Sequence, residues 1–307
     1  MTSRSLLPAA LLLFGCRLHR QPVAPEPARG PARDSLFQLD QSRGDTVAAR
    51  GPIEGMLALL DTDVVYLRDG VPAAYGLAGA RALFLAGTRP NSGGFTWQPL
   101  GGGVSYDLRY GYTFGIAADE TKSGTRLERY IAFWQRAREQ SWHIVAYAEV
   151  NGPPAVEVDL TADQLSPPVR RLSREAADAS ARLRTVDSLF SDLADRMGAA
   201  YAFSNTVAPY GAVFGGTRLV VGPEAVNEFF LSQNGGSALT WRPVYGSVAG
   251  SDDLGFTTGE YVATGRGPSG AAVQRFGKYL TVWQRQRDGS WKFVVDGGNA
   301  TPARAER

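Results

Sequence analysis

Cysteine, histidine and any excess of one charge are scarce in this 307-residue chain, and each scarcity closes off a class of function. The single cysteine, Cys16, lies near the N-terminus. The rest of the chain therefore has no disulfide framework, thiol nucleophile or cysteine-based metal site. The two histidines, His19 and His143, are too few for a multi-histidine metal centre. Basic and acidic residues nearly cancel, 32 against 30, and no dense basic run is interleaved with aromatics, so nucleic acid is not an expected partner. There is no Ser-His-Asp order, phosphate-binding loop or dinucleotide fingerprint, and Gly101-Gly102-Gly103 does not open a helix. No cofactor and no metal are implied.

What the chain does contain, it contains twice. Thr96-Trp97-Gln98-Pro99-Leu100 returns as Thr240-Trp241-Arg242-Pro243-Val244. Tyr130, Trp134, Gln135, Arg136 and Trp142 return as Tyr279, Trp283, Gln284, Arg285 and Trp291, an offset of 149. Asp40, Asp45 and Gly51 match Asp187, Asp192 and Gly198 at an offset of 147, and Gly70, Gly76 and Phe84 match Gly216, Gly222 and Phe230 at 146. Small drifts of this kind are what loop insertions produce. The spacing is that of a whole domain duplicated in tandem, not of a solenoid repeat.

The N-terminus reads as an export signal. Arg4 precedes a short apolar run, Leu6–Phe14, well below the roughly 20 apolar residues that span a bilayer. Residues 1–16 end in Leu13-Phe14-Gly15-Cys16, similar to a bacterial lipoprotein signal with lipidation at Cys16. The expected location is the bacterial cell envelope, anchored to the membrane through Cys16, with plain secretion or a periplasmic form as the alternative. Residues 17–33, rich in Pro, Ala and Arg, read as a disordered tether. The copies then fall at 34–152 and 174–301, joined by a Pro-rich linker at 153–173 and followed by a tail at 302–307.

Each copy opens with helical periodicity. Val186, Leu189, Phe190, Leu193 and Met197 recur at 3–4 spacing within 176–202; the counterpart, 36–60, is interrupted at Gly51-Pro52, where a second short helix should start. A strand pair turning on Asp69-Gly70, a short helix and four longer strands complete the unit, and Arg287-Asp288-Gly289-Ser290 signals a tight hairpin. The expected class is α+β: two tandem domains, each with N-terminal helices packed on a bent, mainly antiparallel sheet.

This order, together with the stretch from Gly277 through Trp283-Gln284-Arg285 to Gly289-Ser290-Trp291-Lys292-Phe293, resembles the nuclear transport factor 2-like superfamily, in particular its SnoaL-like and DUF4440-type domains. The resemblance implies a cone, a bent sheet wrapped around helices with a pocket inside. It also implies that the two copies pack sheet to sheet as an intramolecular pseudo-dimer. The superfamily includes isomerases, cyclases, dehydratases and non-catalytic binding or assembly domains, so fold alone does not decide function.

Related isomerases pair a carboxylate base with a proton-donating hydroxyl in a dry pocket. Strict alternation puts Lys292, Val294 and Asp296 on one face of the last strand and Trp291, Phe293 and Val295 on the other. Asp296 is then the candidate base, with Tyr261 or Tyr279 supplying a hydroxyl; alternatively it pairs with a nearby basic residue or opens an Asp296-Gly297-Gly298-Asn299 turn. The same face of the first copy carries His143, Val145, Tyr147 and Glu149; His143 is a candidate acid–base group or a partly exposed strand histidine, and Tyr147 is a further candidate. Asp61 and Asp63 read as turn formers, and Arg68 with Asp69 as a solvated hairpin. Trp97, Tyr112, Tyr130, Trp241, Tyr245 and Tyr279 are core aromatics or the lining of a ligand pocket.

At polar positions the copies disagree, which argues against one catalytic set at work in both halves. His143 stands against Lys292, Tyr147 against Asp296, Asp63 against Pro209 and Arg68 against Phe214. The expected function is binding of a small, mostly apolar molecule. An acid–base enzyme in one copy and a structural envelope module are the alternatives.

Overall fold

The computed structural model describes residues 26–86, 95–121, 124–137, 141–150, 160–168, 172–215, 218–233, 238–266 and 269–301. The expected signal and Cys16 lie outside them. The first domain runs α1 (Glu26–Gln41), α2 (Arg43–Arg50), α3 (Pro52–Leu57), β1 (Leu60–Leu67), β2 (Ala74–Tyr75), α4 (Gly76–Ala86), β3 (Phe95–Val104), β4 (Tyr110–Thr121), β5 (Gly124–Arg136) and β6 (Trp142–Val150). The second repeats this as α5 (Arg174–Met197), α6 (Ala199–Thr206), β7 (Val207–Gly215), β8 (Arg218–Val221), α7 (Pro223–Gln233), β9 (Ala238–Val248), β10 (Leu254–Arg266), β11 (Ala272–Arg285) and β12 (Trp291–Thr301).

Each domain holds one six-stranded sheet, ordered β2-β1-β6-β5-β4-β3 and β8-β7-β12-β11-β10-β9. The β1–β6 and β7–β12 pairs are parallel and the others antiparallel, so the sheets are mixed and the class is α+β. The repeat extends to backbone detail. Gly51 and Gly198 end equivalent helices at φ 83 and 87, a region closed to most side chains. The break at Gly198 divides the 176–202 helical stretch into α5 and α6. Trp134 and Trp283, both fully buried, donate the same indole hydrogen bond, to Thr113 Oγ1 at 2.9 Å and Thr257 Oγ1 at 2.7 Å.

A sequence expectation fails at the start of the first domain. Helix α1 already begins at Glu26, inside the stretch expected to be a tether. Tertiary contacts hold it there: the Arg29 guanidinium lies 4.3 Å from the Tyr106 ring centroid, and Leu36 is fully buried. Residues 160–168 of the linker also lie against the first domain, where Gln164 O accepts from Tyr75 N at 2.8 Å.

The outer faces of the two sheets meet. A single buried cluster joins Ile131, Phe133, Val145 and Val150 to Phe214, Phe256, Leu280 and Val295, with the Phe133 and Phe256 centroids 4.8 Å apart. Asp107 N donates to Ser251 Oγ at 3.3 Å and Ser251 N donates back to Asp107 Oδ2 at 3.2 Å. These two residues are equivalent in the repeat, so the contact sits on a pseudo-twofold axis, the mark of an isologous interface. Lys278 is buried beside it, its ammonium donating to Ala300 O at 2.9 Å. Among the described residues no helix is long and apolar enough to cross a membrane.

Candidate functional site in the second domain

A β-bulge decides which side chains reach the interior. On β12 the register slips between Phe293 and Val295. Val294 and Val295 therefore both face the domain interface, while Phe293 and Asp296 both point inward. The alternation expected from the sequence, with Val294 and Asp296 on one face, is wrong for this reason. The expected Asp296-Gly297-Gly298-Asn299 turn is likewise strand, paired to β11 through Thr281–Asp296 and Tyr279–Gly298. On β6 the equivalent slip turns Ile144 and Tyr147 inward and Val145 and Ala146 outward.

The interior of the second domain encloses a cavity of about 240 Å³. Phe190 of α5, Phe203 of α6, Phe229 and Phe230 of α7, and Trp241 of β9 supply apolar walls; Tyr261, Tyr279, Thr281 and Asp296 supply the polar groups. Asp296 accepts from the Thr281 hydroxyl. Burial, opposed by that hydrogen bond and reinforced by the nearby Asp187 charge, pushes its carboxyl up to about 7.

Asp187 is the second carboxyl of this interior. On the sequence it reads as one of several matched helix residues, yet it is fully buried. Its Oδ2 accepts from Tyr279 OH at 2.7 Å and its Oδ1 from Trp241 Nε1 at 2.8 Å. Burial outweighs these donors and raises it to about 6. The legible signal was its position among Leu183, Phe190 and Ala194 on the buried face of α5. Tyr279, held against this carboxyl, is raised well above the usual phenol value by burial first and Asp187 next.

The first domain builds the same frame and places larger, charged side chains inside it, with Arg43, Tyr66, Arg68 and Glu149 all buried. Asp40, the counterpart of Asp187, accepts from Tyr130 OH and pairs with Arg43 Nε at 2.7 Å. Arg43 stands where the second domain has Phe190, its guanidinium 4.7 Å from the Trp97 ring centroid and 4.6 Å from that of Tyr130. Tyr66 OH donates to Glu149 Oε1 at 2.7 Å, and Arg68 lies 3.6 Å from Glu149 Oε2 and donates to Leu83 O. Arg68 is thus buried, not part of a solvated hairpin.

Strand pairing gives the equivalences that open the second domain. Tyr66 pairs with Tyr147, and Val213 with Asp296, so Val213 replaces Tyr66. Gly298 replaces Glu149. Asp63 and Arg68 therefore correspond to Tyr210 and Gly215, one residue on from the Pro209 and Phe214 that the sequence alignment suggests. At Gly215 a Cβ would come within 2.6 Å of the Phe229 ring, so glycine is what admits that ring.

Of the sequence candidates, Asp296, Tyr261, Tyr279 and Trp241 come together around the cavity. Trp97, Tyr130 and Tyr147 gather around Arg43 in the first domain. Tyr112 and Tyr245 belong to the interface cluster instead of a pocket. His143 lies at the start of β6, 2.9 Å from Ser141 Oγ, away from the inward-facing Tyr147. Asp61 and Asp63 lie within β1 and not in a turn ahead of it, Asp61 accepting from Asp63 N at 3.0 Å.

No protein family profile and no curated protein matches the chain. Solved structures do. A ketosteroid isomerase-like protein from Erwinia carotovora atroseptica is 17% identical, with 42% of this chain and 98% of that one aligned and a TM-score of 0.35. A nuclear transport factor 2-like superfamily protein from Salmonella enterica is 12% identical over 42% of this chain and 95% of its own, TM-score 0.35. A nuclear transport factor 2-like protein with a cystatin-like fold from Novosphingobium aromaticivorans is 21% identical over 43% and 85%, TM-score 0.32.

Proposed function

We propose that the second domain binds a small, mostly apolar molecule in its cavity, oriented by Asp296, and that the first domain serves as its structural partner. The observation that carries this reading is the cavity of about 240 Å³ walled by aromatic rings in the second domain, at positions where the first domain buries Tyr66, Glu149 and Arg43. Apolar walls with a few convergent polar groups are the usual composition of a small-molecule site. The two domains act as a permanent intramolecular dimer in this proposal, of the nuclear transport factor 2-like kind. Export and lipid anchoring at Cys16 belong to it on the strength of the N-terminal sequence pattern alone.

Native mass spectrometry of the purified chain, followed by denaturation to release what is bound, tests the reading. A stoichiometric small molecule is expected, and it should be lost when Val213→Trp fills the cavity. A ligand retained in that variant would place binding elsewhere.

One observation supports acid–base catalysis as a second reading. Asp296, at about 7, is poised to give or take a proton near neutrality, with the Tyr261 and Tyr279 hydroxyls beside the same cavity. A pH-dependent rate abolished in Asp296→Asn would distinguish an enzyme from a binding domain.

A further inference from the structure

The first domain places side chains where the second has its cavity. In the first, Tyr66 and Tyr147 stack at 5.1 Å, Tyr147 lies nearly parallel to Tyr130 at 5.9 Å and 7°, and Tyr66 meets Phe84 edge-on at 5.0 Å. The Tyr66 hydroxyl ends on a carboxylate, Glu149. The surfaces that receive these rings persist in the second domain, where Tyr279 stands for Tyr130, Phe230 for Phe84 and Trp241 for Trp97. The rings themselves are missing, replaced by Val213 and Asp296, and the carboxylate now comes from Asp296, with Gly298 in the place of Glu149.

We infer that the second-domain cavity takes a phenol: an aromatic ring lying over Tyr279 and against the edge of Phe230, its hydroxyl donating to Asp296. This rests on the binding reading above and names the ligand class for that site. A ring satisfies the stacked and edge-on geometries the walls retain, which a saturated chain of equal size does not. Asp296 lines the cavity and accepts from the Thr281 hydroxyl; a ligand hydroxyl gives this carboxyl a further donor, as Tyr66 gives one to Glu149 in the first domain. A ring without a hydroxyl leaves the carboxyl desolvated with the threonine bond alone, and binds more weakly.

The test uses the full chain, isothermal titration calorimetry and three probes: 4-ethylphenol, 4-ethylanisole, which keeps the aromatic ring and lacks the donor, and 4-ethylcyclohexanol, which keeps the donor on a saturated ring. The phenol is expected to bind one to one and about tenfold or more tighter than either control. An anisole or cyclohexanol that binds as tightly as the phenol overturns the phenol assignment while leaving a binding cavity in place. No heat with any probe, together with a clean mass in the native spectrum, overturns the cavity reading as well. Val213→Tyr, which restores the first domain's ring, should abolish binding of the phenol. Should that variant fail to fold, Asp296→Leu keeps about the same shape without any acceptor and is expected to erase the preference of phenol over anisole; an undiminished preference in Asp296→Leu would refute the role given to this carboxyl.

Discussion

Replacing Asp296 by asparagine should change how stability depends on pH, and the direction follows from the structure. The carboxyl sits at about 7 in the folded chain against an ordinary value of 3.8. Between those two values the native state binds the proton that the unfolded chain has released, so stability contributed by this group is full below about 4 and is lost as pH rises through about 7. A shift of this size corresponds to roughly 4 kcal/mol at about 1.4 kcal/mol per pH unit. Mutual repulsion with Asp187 and access to the cavity make about 2–4 kcal/mol the working range. Asp296→Asn has no proton to lose and keeps an acceptor for Thr281. Urea unfolding of the two proteins at pH 4.5, 6 and 8 is the assay. The variant should match the parent at pH 4.5 and exceed it at pH 8, with a shallower pH slope between. Parallel curves with the same slope would refute the claim that a buried carboxyl at this position ionises against the fold.

Two further perturbations probe the first domain and the interface. Arg43→Ala should cost about 3–5 kcal/mol in thermal or urea unfolding, because it leaves Asp40 buried without its cation; Arg43→Phe with Asp40→Asn, which borrows the ring of the second domain, should recover most of that loss. Lys278→Met should stabilise the chain at pH 6 and lose its advantage towards pH 10. Burial lowers the ammonium to about 7, so the folded state pays for its charge below that value and no longer does so once the unfolded lysine, near 10.5, also deprotonates. A destabilised Lys278→Met at pH 6 would show that the bonds to Ala300 O and Thr301 Oγ1 outweigh the burial.

Much of the architecture is legible locally because it depends on short-range chemistry. Gly51-Pro52 ends one helix and starts the next because glycine alone accepts the backbone angle there and proline needs no amide partner in a first helical turn. Asp288-Gly289-Ser290 makes its hairpin from its own side chains: Ser290 N donates to Asp288 Oδ1 at 2.9 Å. The matching Trp, Tyr and Thr positions announce a duplicated core, and the indole-to-threonine hydrogen bonds of Trp134 and Trp283 show why those residue types recur.

The candidate site was legible only in its members. Asp296, Tyr261, Tyr279 and Trp241 stand out on the sequence, but so do Tyr112, Tyr245 and His143, which the fold sends to the interface and to a strand start. Asp187 was concealed because an aspartate on a helix is ordinarily a solvated residue, and only the donors brought by Tyr279, on β11, and Trp241, on β9, make burial tolerable.

From its sequence alone this protein is two copies of one α+β domain, with helix ends, hairpins and core aromatics set by local propensity and periodicity. Tertiary structure alone placed the second copy's cavity. A single bulged residue reverses the faces of β12, and strict alternation does not record it. Free volume has no local signature either. It is the difference left when side chains from separate strands and helices pack together at near-crystalline density, and here it turns on Val213, Gly215, Asp296 and Gly298 meeting around one point.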